Sequence, residues 1–336
     1  MKEAQFYTRE NDGRVSCGLC RFHCLIADGD RGICGVRENR AGTLYSLVYG
    51  KVCAENVDPI EKKPLFHVMP GSSSLSIATV GCNFRCRHCQ NFSISQVPPN
   101  GRITGVDQTP DMVVRSALAN RCRSISYTYT EPTVFFEFAH ETALLAREAG
   151  LANVFVTNGY ISKEALATMA PCLDAANIDL KGFSEDFYRD VVHARLSEVL
   201  DSIIEYRRHG IWIELTTLII PGLNDSEREL QGIAAFIVDN LGVDTPWHVS
   251  QFYPTFQMTD RSHTPPETLR RAVDIGLTAG LCYVYEGNVP GKGGENTLCP
   301  ACSAPLIERY GYVIVANRIM DGSCPDCGEI IAGVGM

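Results

Sequence analysis

Residues 81–91 read Gly-Cys-Asn-Phe-Arg-Cys-Arg-His-Cys-Gln-Asn, which sets Cys82, Cys86 and Cys89 in a C-x3-C-x2-C run. Three thiolates this close can hold three irons of a 4Fe–4S cluster. Plant-type ferredoxins use a longer first gap and bring a fourth cysteine from elsewhere. Here the next cysteine is Cys122, so a cluster on this run keeps one iron open to a small molecule. An open coordination position marks a catalytic metal, a closed one a structural metal. The competing reading is a structural metal with His88 or a remote cysteine as fourth ligand. Placement directly after the apolar, strand-like stretch Leu75–Val80 argues for the catalytic one.

Two further cysteine sets could bind metal. Cys299-Pro-Ala-Cys302 and Cys324-Pro-Asp-Cys327 are separated by twenty-one residues. Two such knuckles around a hairpin-like stretch predict a zinc ribbon, with iron as the main competitor, because thiolate ligands do not fix the metal. Four ligands close the site, so its expected role is structural. At the other end, Cys17-x2-Cys20-x3-Cys24-x9-Cys34 supplies four ligands in eighteen residues. That spacing places zinc somewhat ahead of an auxiliary 4Fe–4S cluster, and a set without metal stays open. Cys53, Cys122, Cys172 and Cys282 are scattered and read as small buried hydrophobes.

The elements that must position these groups follow from pattern. The chain has 336 residues, of which 45% are hydrophobic and 21% charged, enough for one large α/β domain plus appendages. From residue 74 onward, short β-rich runs alternate with amphipathic helical runs. Strands are expected at Leu75–Val80, Ser124–Thr128, Asn153–Thr157, Ala175–Leu180, Ile211–Ile220 and Trp247–Phe252, with a short one at Cys282–Tyr285. Between them, Thr109-Pro110 opens a helix, Phe135–Glu148 and Lys163–Met169 are helical, and helical sequence runs to His209. Ser226-x-x-Glu229 is a capping box, and Thr264-Pro265-Pro266-Glu267 caps the last helix. Six βα units predict a parallel sheet; the pattern alone fits an open doubly wound sheet equally, and the cysteine triplet makes a partial (β/α)6 barrel the better reading. Chemistry in such folds gathers at the carboxyl ends of the strands, where Thr130-Glu131-Pro132, Asn158-Gly159 and Asp179-Leu180-Lys181 also lie. The expected organisation is a Cys-rich segment at 1–73, a core at 74–288, and a four-Cys module at 289–336 reached through a glycine-rich linker. The charged stretch Asn56–Pro64, with Asp58, Glu61, Lys62 and Lys63, reads as a solvated connector.

The formal net charge is −9 and no basic run stands out, so nucleic-acid binding is not expected. No apolar run reaches membrane-spanning length and the start lacks an apolar signal core, so a cytoplasmic location is expected.

The triplet, on a βα loop of a chain this long, resembles the radical S-adenosylmethionine (SAM) superfamily. There the open iron takes the amino and carboxylate groups of SAM. An electron then cleaves SAM to methionine and a 5′-deoxyadenosyl radical. The superfamily places an aromatic residue before the last cysteine; here it is His88, whose flat ring can pack beside adenine. Glu131 stands where the superfamily has an acid for the SAM ammonium. Asp179-Leu-Lys181, Thr157-Asn158-Gly159 and Ile220–Asp225 resemble the pyruvate formate-lyase activating enzyme group, which carries an aspartate where this chain has Val156. Glu131, Asn158, Asp179 and Lys181 are therefore the implied SAM-site residues. The ordered motifs from Cys17-Gly-Leu-Cys20 and Gly32–Arg37 through Asn56–Pro64 and Tyr127–Pro132 to Tyr285–Gly291 resemble the radical SAM member of the AmmeMemoRadiSam system. In that family a histidine is expected where this chain has Tyr253. The resemblance implies Memo-like and AMMECR-like partners and an electron donor of the flavodoxin or ferredoxin type. The expected activity is reductive SAM cleavage for hydrogen abstraction. A glycyl-radical-enzyme activase is an alternative, and so is a non-catalytic Fe–S or zinc adaptor.

Overall fold

In a computed structural model, residues 1–98, 101–289, 291 and 293–336 are described. Pro290 and Lys292 of the expected glycine-rich linker lie outside them. The chain divides into two compact units: residues 1–58, 73–174 and 197–211 form the first, and residues 59–72, 175–196 and 212–336 the second.

In the first unit the sheet carries β1 (Ala54–Pro59), β2 (Ser73–Ala78), β3 (Ser124–Tyr127) and β4 (Ala152–Thr157), in the order β4-β3-β2-β1. Strands β2, β3 and β4 run parallel, as alternation with helices requires. The four residues of β3 are all buried; of its two serines, Ser126 pairs its hydroxyl with that of Ser74 at 2.6 Å. Helix α1 (Pro110–Ala119) starts as predicted, with Pro110 in its first turn and the Thr109 hydroxyl accepting from the Met112 amide. Helices α2 (Phe136–Glu148), α3 (Lys163–Met169) and α4 (Leu196–Arg208) follow. Strand β2 begins and ends two residues earlier than the apolar pattern implied, which leaves Thr79 and Val80 to lead into the cysteine loop. Before β1, two small antiparallel sheets of three strands each hold residues 2–46.

In the second unit β5 (Ala175–Asp179), β6 (Trp212–Ile219), β7 (Trp247–Gln251) and β8 (Val284–Gly287) are consecutive parallel neighbours. Helices α5 (Glu227–Asn240) and α6 (Pro266–Thr278) precede β7 and β8. The sequence expected to be helical up to His209 breaks after a short helix at Glu185–Phe187 and a wide turn at Tyr188–Val192, where His193 takes φ +62°. Strands β9 (Thr297–Leu298), β10 (Pro305–Tyr310) and β11 (Val313–Asn317) form an antiparallel sheet that carries the last four cysteines.

Two capping expectations change. Ser226 accepts from the Glu229 amide, but the Glu229 carboxylate turns to the Phe183 amide at 3.0 Å, so the box is half made. Thr264 does not cap α6; its hydroxyl accepts from Phe252 N and donates to Ile219 O. The connector Asn56–Pro64 is also corrected. Lys62 is exposed, but Asp58, Glu61 and Lys63 are buried. The segment is an edge strand and a tight turn leading into the buried run 65–69, so these charges turn inward. Asp58 takes the Tyr129 hydroxyl, and Glu61 takes the Gly71 amide at 2.8 Å. Of the scattered cysteines, Cys122 and Cys172 are buried, while Cys53 and Cys282 are half-buried.

Candidate functional site

Strand β2 ends at Ala78, and within four residues the chain reaches Cys82. The intervening turn needs glycine. Gly81 has φ +107°, and a Cβ there would lie 2.6 Å from a Val36 methyl. Beyond it the Phe84 amide donates to Cys82 Sγ at 3.3 Å, Cys89 Sγ lies 3.1 Å from Ser95 Oγ, and Cys86 is buried. Burial pushes the Cys82 thiol well above its usual range, and the nearby Glu131 and Cys86 push the same way. A bound cation offsets both effects, so this donor set fits a metal group.

The ends of β3 and β4 meet at Glu131, which is 1% exposed. Its Oε1 accepts from Thr133 N at 3.0 Å, Thr133 Oγ1 at 2.6 Å and Thr157 Oγ1 at 2.7 Å; its Oε2 accepts from Asn158 N at 2.8 Å. Burial raises the carboxyl's pKa, while these donors pull it back. Glu131 thereby fixes Asn158, whose Nδ2 donates to Asn83 Oδ1 at 2.7 Å and approaches Cys82 Sγ at 3.8 Å. Glu131 and Asn158 are thus brought beside Cys82. Asn83 and Thr133 complete the lattice and were not singled out from sequence; Asn83's place directly after Cys82 was the available signal.

Asp179 and Lys181 belong to the second unit. They pair with each other, Nζ to Oδ2 at 2.8 Å, at the carboxyl end of β5. The Lys181 backbone is held by Tyr188 OH and Asn224 Nδ2. Tyr253, expected at the end of β7, is 49% exposed and donates to Gln251 Oε1 at 2.7 Å.

Cys299, Cys302, Cys324 and Cys327 have all four sulfurs within 4.8 Å of one another, the compactness one tetrahedral ion needs. Among the described residues this is the group of metal-binding side chains that converges so tightly. Cys82, Cys86 and Cys89 do not converge within that distance. Cys17, Cys20, Cys24 and Cys34 are likewise spread, around one pocket.

The profile of the radical SAM superfamily matches residues 76–231. An uncharacterised protein of Methanocaldococcus jannaschii is 49% identical over 98% of this chain and 99% of its own length. The chain belongs to the radical SAM superfamily. It is a radical SAM enzyme, which sets aside the non-catalytic adaptor reading, and membership implies a 4Fe–4S cluster and SAM. A second M. jannaschii protein, a putative glycyl-radical enzyme activating enzyme, is 25% identical over 61% of this chain and 78% of its own length. Among solved structures, a radical SAM methyltransferase from Sphaerobacter thermophilus shares the fold, with a TM-score of 0.51 and 16% identity over 65% of this chain and 66% of that one. No helix among the described residues of this radical SAM enzyme is long and apolar enough to cross a membrane.

Proposed function

We propose that Cys82, Cys86 and Cys89 hold the catalytic 4Fe–4S cluster and that SAM binds beside them, for hydrogen abstraction from a substrate. When bound, that cluster supplies the electron that cleaves SAM to methionine and a 5′-deoxyadenosyl radical. The observation that carries this reading is the lattice from Glu131 through Asn158 and Asn83 to Cys82, built on the carboxyl ends of three adjacent parallel strands. Glu131 orients Asn158 through its amide. Its Oε2 takes that one donor among the described residues and keeps an acceptor position for the SAM ammonium. Asp179 and Lys181, the implied SAM-site residues of the second unit, are part of the same proposal. The expected partial (β/α)6 barrel and a zinc or iron ribbon at Cys299, Cys302, Cys324 and Cys327 belong to the same proposal. So does membership of the AmmeMemoRadiSam system, with Memo-like and AMMECR-like partners and a flavodoxin- or ferredoxin-type donor.

The test is anaerobic. Reconstituted, reduced protein should release 5′-deoxyadenosine from SAM, and the variant with Cys82, Cys86 and Cys89 all changed to Ala should release none. SAM cleavage unchanged in that variant would sink the assignment.

A second reading is favoured by the likeness to the putative glycyl-radical enzyme activating enzyme: the hydrogen donor is a backbone glycine of a partner protein. Incubation with a candidate partner and SAM should then leave a glycyl radical signal in the partner's electron paramagnetic resonance (EPR) spectrum. A partner that stays silent while 5′-deoxyadenosine accumulates would exclude it.

A further inference from the structure

The four N-terminal cysteines lie within the first unit and line one pocket, together with Arg37 and Asn83. Burial raises the thiols of Cys20, Cys24 and Cys34, and the charge of Cys17 pushes each the same way. The four sulfurs therefore share one space without converging on one point.

The pocket contains a second anomaly. Arg37 and Asn83 are each 1% exposed. Arg37 gives its two terminal nitrogens to Glu137 and to Gln5 O, yet its Nε has no hydrogen-bond partner. Asn83 accepts from Asn158 at 2.7 Å, yet its Nδ2 has none. Buried donors are rarely left unsatisfied, because each loses its water without compensation. Two such donors on the wall of one four-thiol pocket point to acceptors that the protein itself does not supply.

We propose that Cys17, Cys20, Cys24 and Cys34 bind a second 4Fe–4S cluster, whose sulfur atoms accept from Arg37 Nε and Asn83 Nδ2. Zinc fits less well for two reasons. One tetrahedral ion with Zn–S bonds of about 2.3 Å draws its four thiolates to roughly 4 Å of one another. The C-terminal four meet that demand and the N-terminal four do not. A single ion also brings no inorganic sulfide, whereas a cubane carries acceptor sulfides between its thiolates. Four protein ligands leave no iron open, so this cluster carries electrons and does not bind SAM. Asn83 is shared with the site already described, since its Oδ1 accepts from the Asn158 amide that approaches Cys82. The inference rests on the radical SAM reading only through that shared wall.

The experiment uses the full chain, reconstituted anaerobically. Parent protein should carry about eight acid-labile sulfides per chain, the sum of two cubanes. The variant with Cys82, Cys86 and Cys89 changed to Ala should keep about four, with a reduced-state EPR signal that added SAM does not alter. Further change of Cys17 and Cys34 to Ser should remove that remainder. Sulfide excludes confusion with iron at the ribbon, because a lone iron on four cysteines contributes none. Arg37→Lys should keep the second cluster but lower its midpoint potential, since a hydrogen bond to sulfur is lost. About four sulfides in the parent with an extra equivalent of zinc that the Cys17 and Cys34 changes remove would overturn the proposal. A parent whose one cluster depends on Cys17 and whose spectrum ignores SAM would instead overturn the catalytic reading and leave this one standing.

Discussion

At the scale of the residue, Glu131 carries two loads. Its position after β3 was legible, because an acid at a strand end of a βα fold is where ligand-binding groups collect. Its full hydrogen-bond set was not legible, since Thr133 and Thr157 lie on different elements and only the fold joins them. The Asn83 donor was hidden for a similar reason: nothing in Cys82-Asn83-Phe84 says which pocket the amide will line. The two loads on Glu131 separate experimentally. Glu131→Gln turns an amide group toward donors that need an acceptor, so it should cost about 1–3 kcal/mol of stability. It should also weaken SAM binding roughly tenfold to a hundredfold, because the charge-assisted part of the ammonium contact is lost. Thr157→Val removes one donor to Oε1 and leaves Oε2 alone, so it should cost stability while SAM affinity stays within about threefold. Chemical denaturation and anaerobic SAM titration read the two effects. Equal SAM affinity in Glu131→Gln and parent would make Glu131 a purely structural cap.

At the scale of the element, alternation of β-rich and amphipathic runs sufficed to locate the parallel strands, because helix and strand periods differ so strongly. Boundaries moved where a side chain found a tertiary partner in place of the local one. Glu229 left its capping box for the Phe183 amide, and Thr264 left its helix for Phe252 and Ile219. The buried charges of Asp58 and Glu61 were misread because their partners lie far along the chain or on the turn they create. The C-terminal cysteines were the most legible element, since knuckle spacing is local. The hairpin β10–β11 joins the two knuckles as predicted, and the sulfurs of Cys299 and Cys327 lie 3.5 Å apart. A closed thiolate site feeds its metal-binding free energy into folding. Changing Cys299 and Cys324 together to Ser should therefore remove one equivalent of zinc or iron and lower Tm by roughly 5–10 °C. Acid-labile sulfide should stay at the parent level. Metal analysis and scanning calorimetry check this, and full metal content in that variant would refute a metal at these cysteines.

At the scale of the whole molecule, the second unit is tied together by a buried polar network that has no counterpart in local sequence. Glu214, near the start of β6, is fully buried. It accepts from Phe66 N at 2.9 Å, His67 N at 2.8 Å, Trp212 Nε1 at 3.2 Å and His248 Nε2 at 2.7 Å. His67 in turn bonds Tyr285 OH at 2.6 Å and Ala332 O at 2.7 Å, and Val68 bridges Val334. The segment before β2 and the last residues of the chain are thus held by one carboxylate and one imidazole. Glu214, His248 and Tyr285 lie toward the amino ends of β6, β7 and β8, away from the carboxyl ends where the candidate ligand-binding residues lie. Burial pulls the His67 pKa down from 6.5 to about 4, so the ring is neutral in the folded protein at pH 7. Burial is the largest influence on Glu214 and opposes its charge too, but the hydrogen bond and charge of His248, together with His67, outweigh it and hold that carboxyl below its usual range. Between pH 6.5 and 4 the unfolded chain binds a proton at His67 that the folded chain refuses, so stability falls as pH falls. By pH 5 the loss from His67 amounts to about 2 kcal/mol. Loss of the Glu214 contribution begins lower still, as pH drops through the carboxylate range, and acts in the same direction. Denaturant midpoints of parent and His67→Gln protein, followed from pH 7 to pH 5, should converge, since the variant is weaker at pH 7 but lacks the titrating ring. A comparison of the two cancels any acid loss of metal, which both share. Parallel pH profiles for the two proteins would mean that His67 is protonated as readily in the folded chain as in the unfolded one.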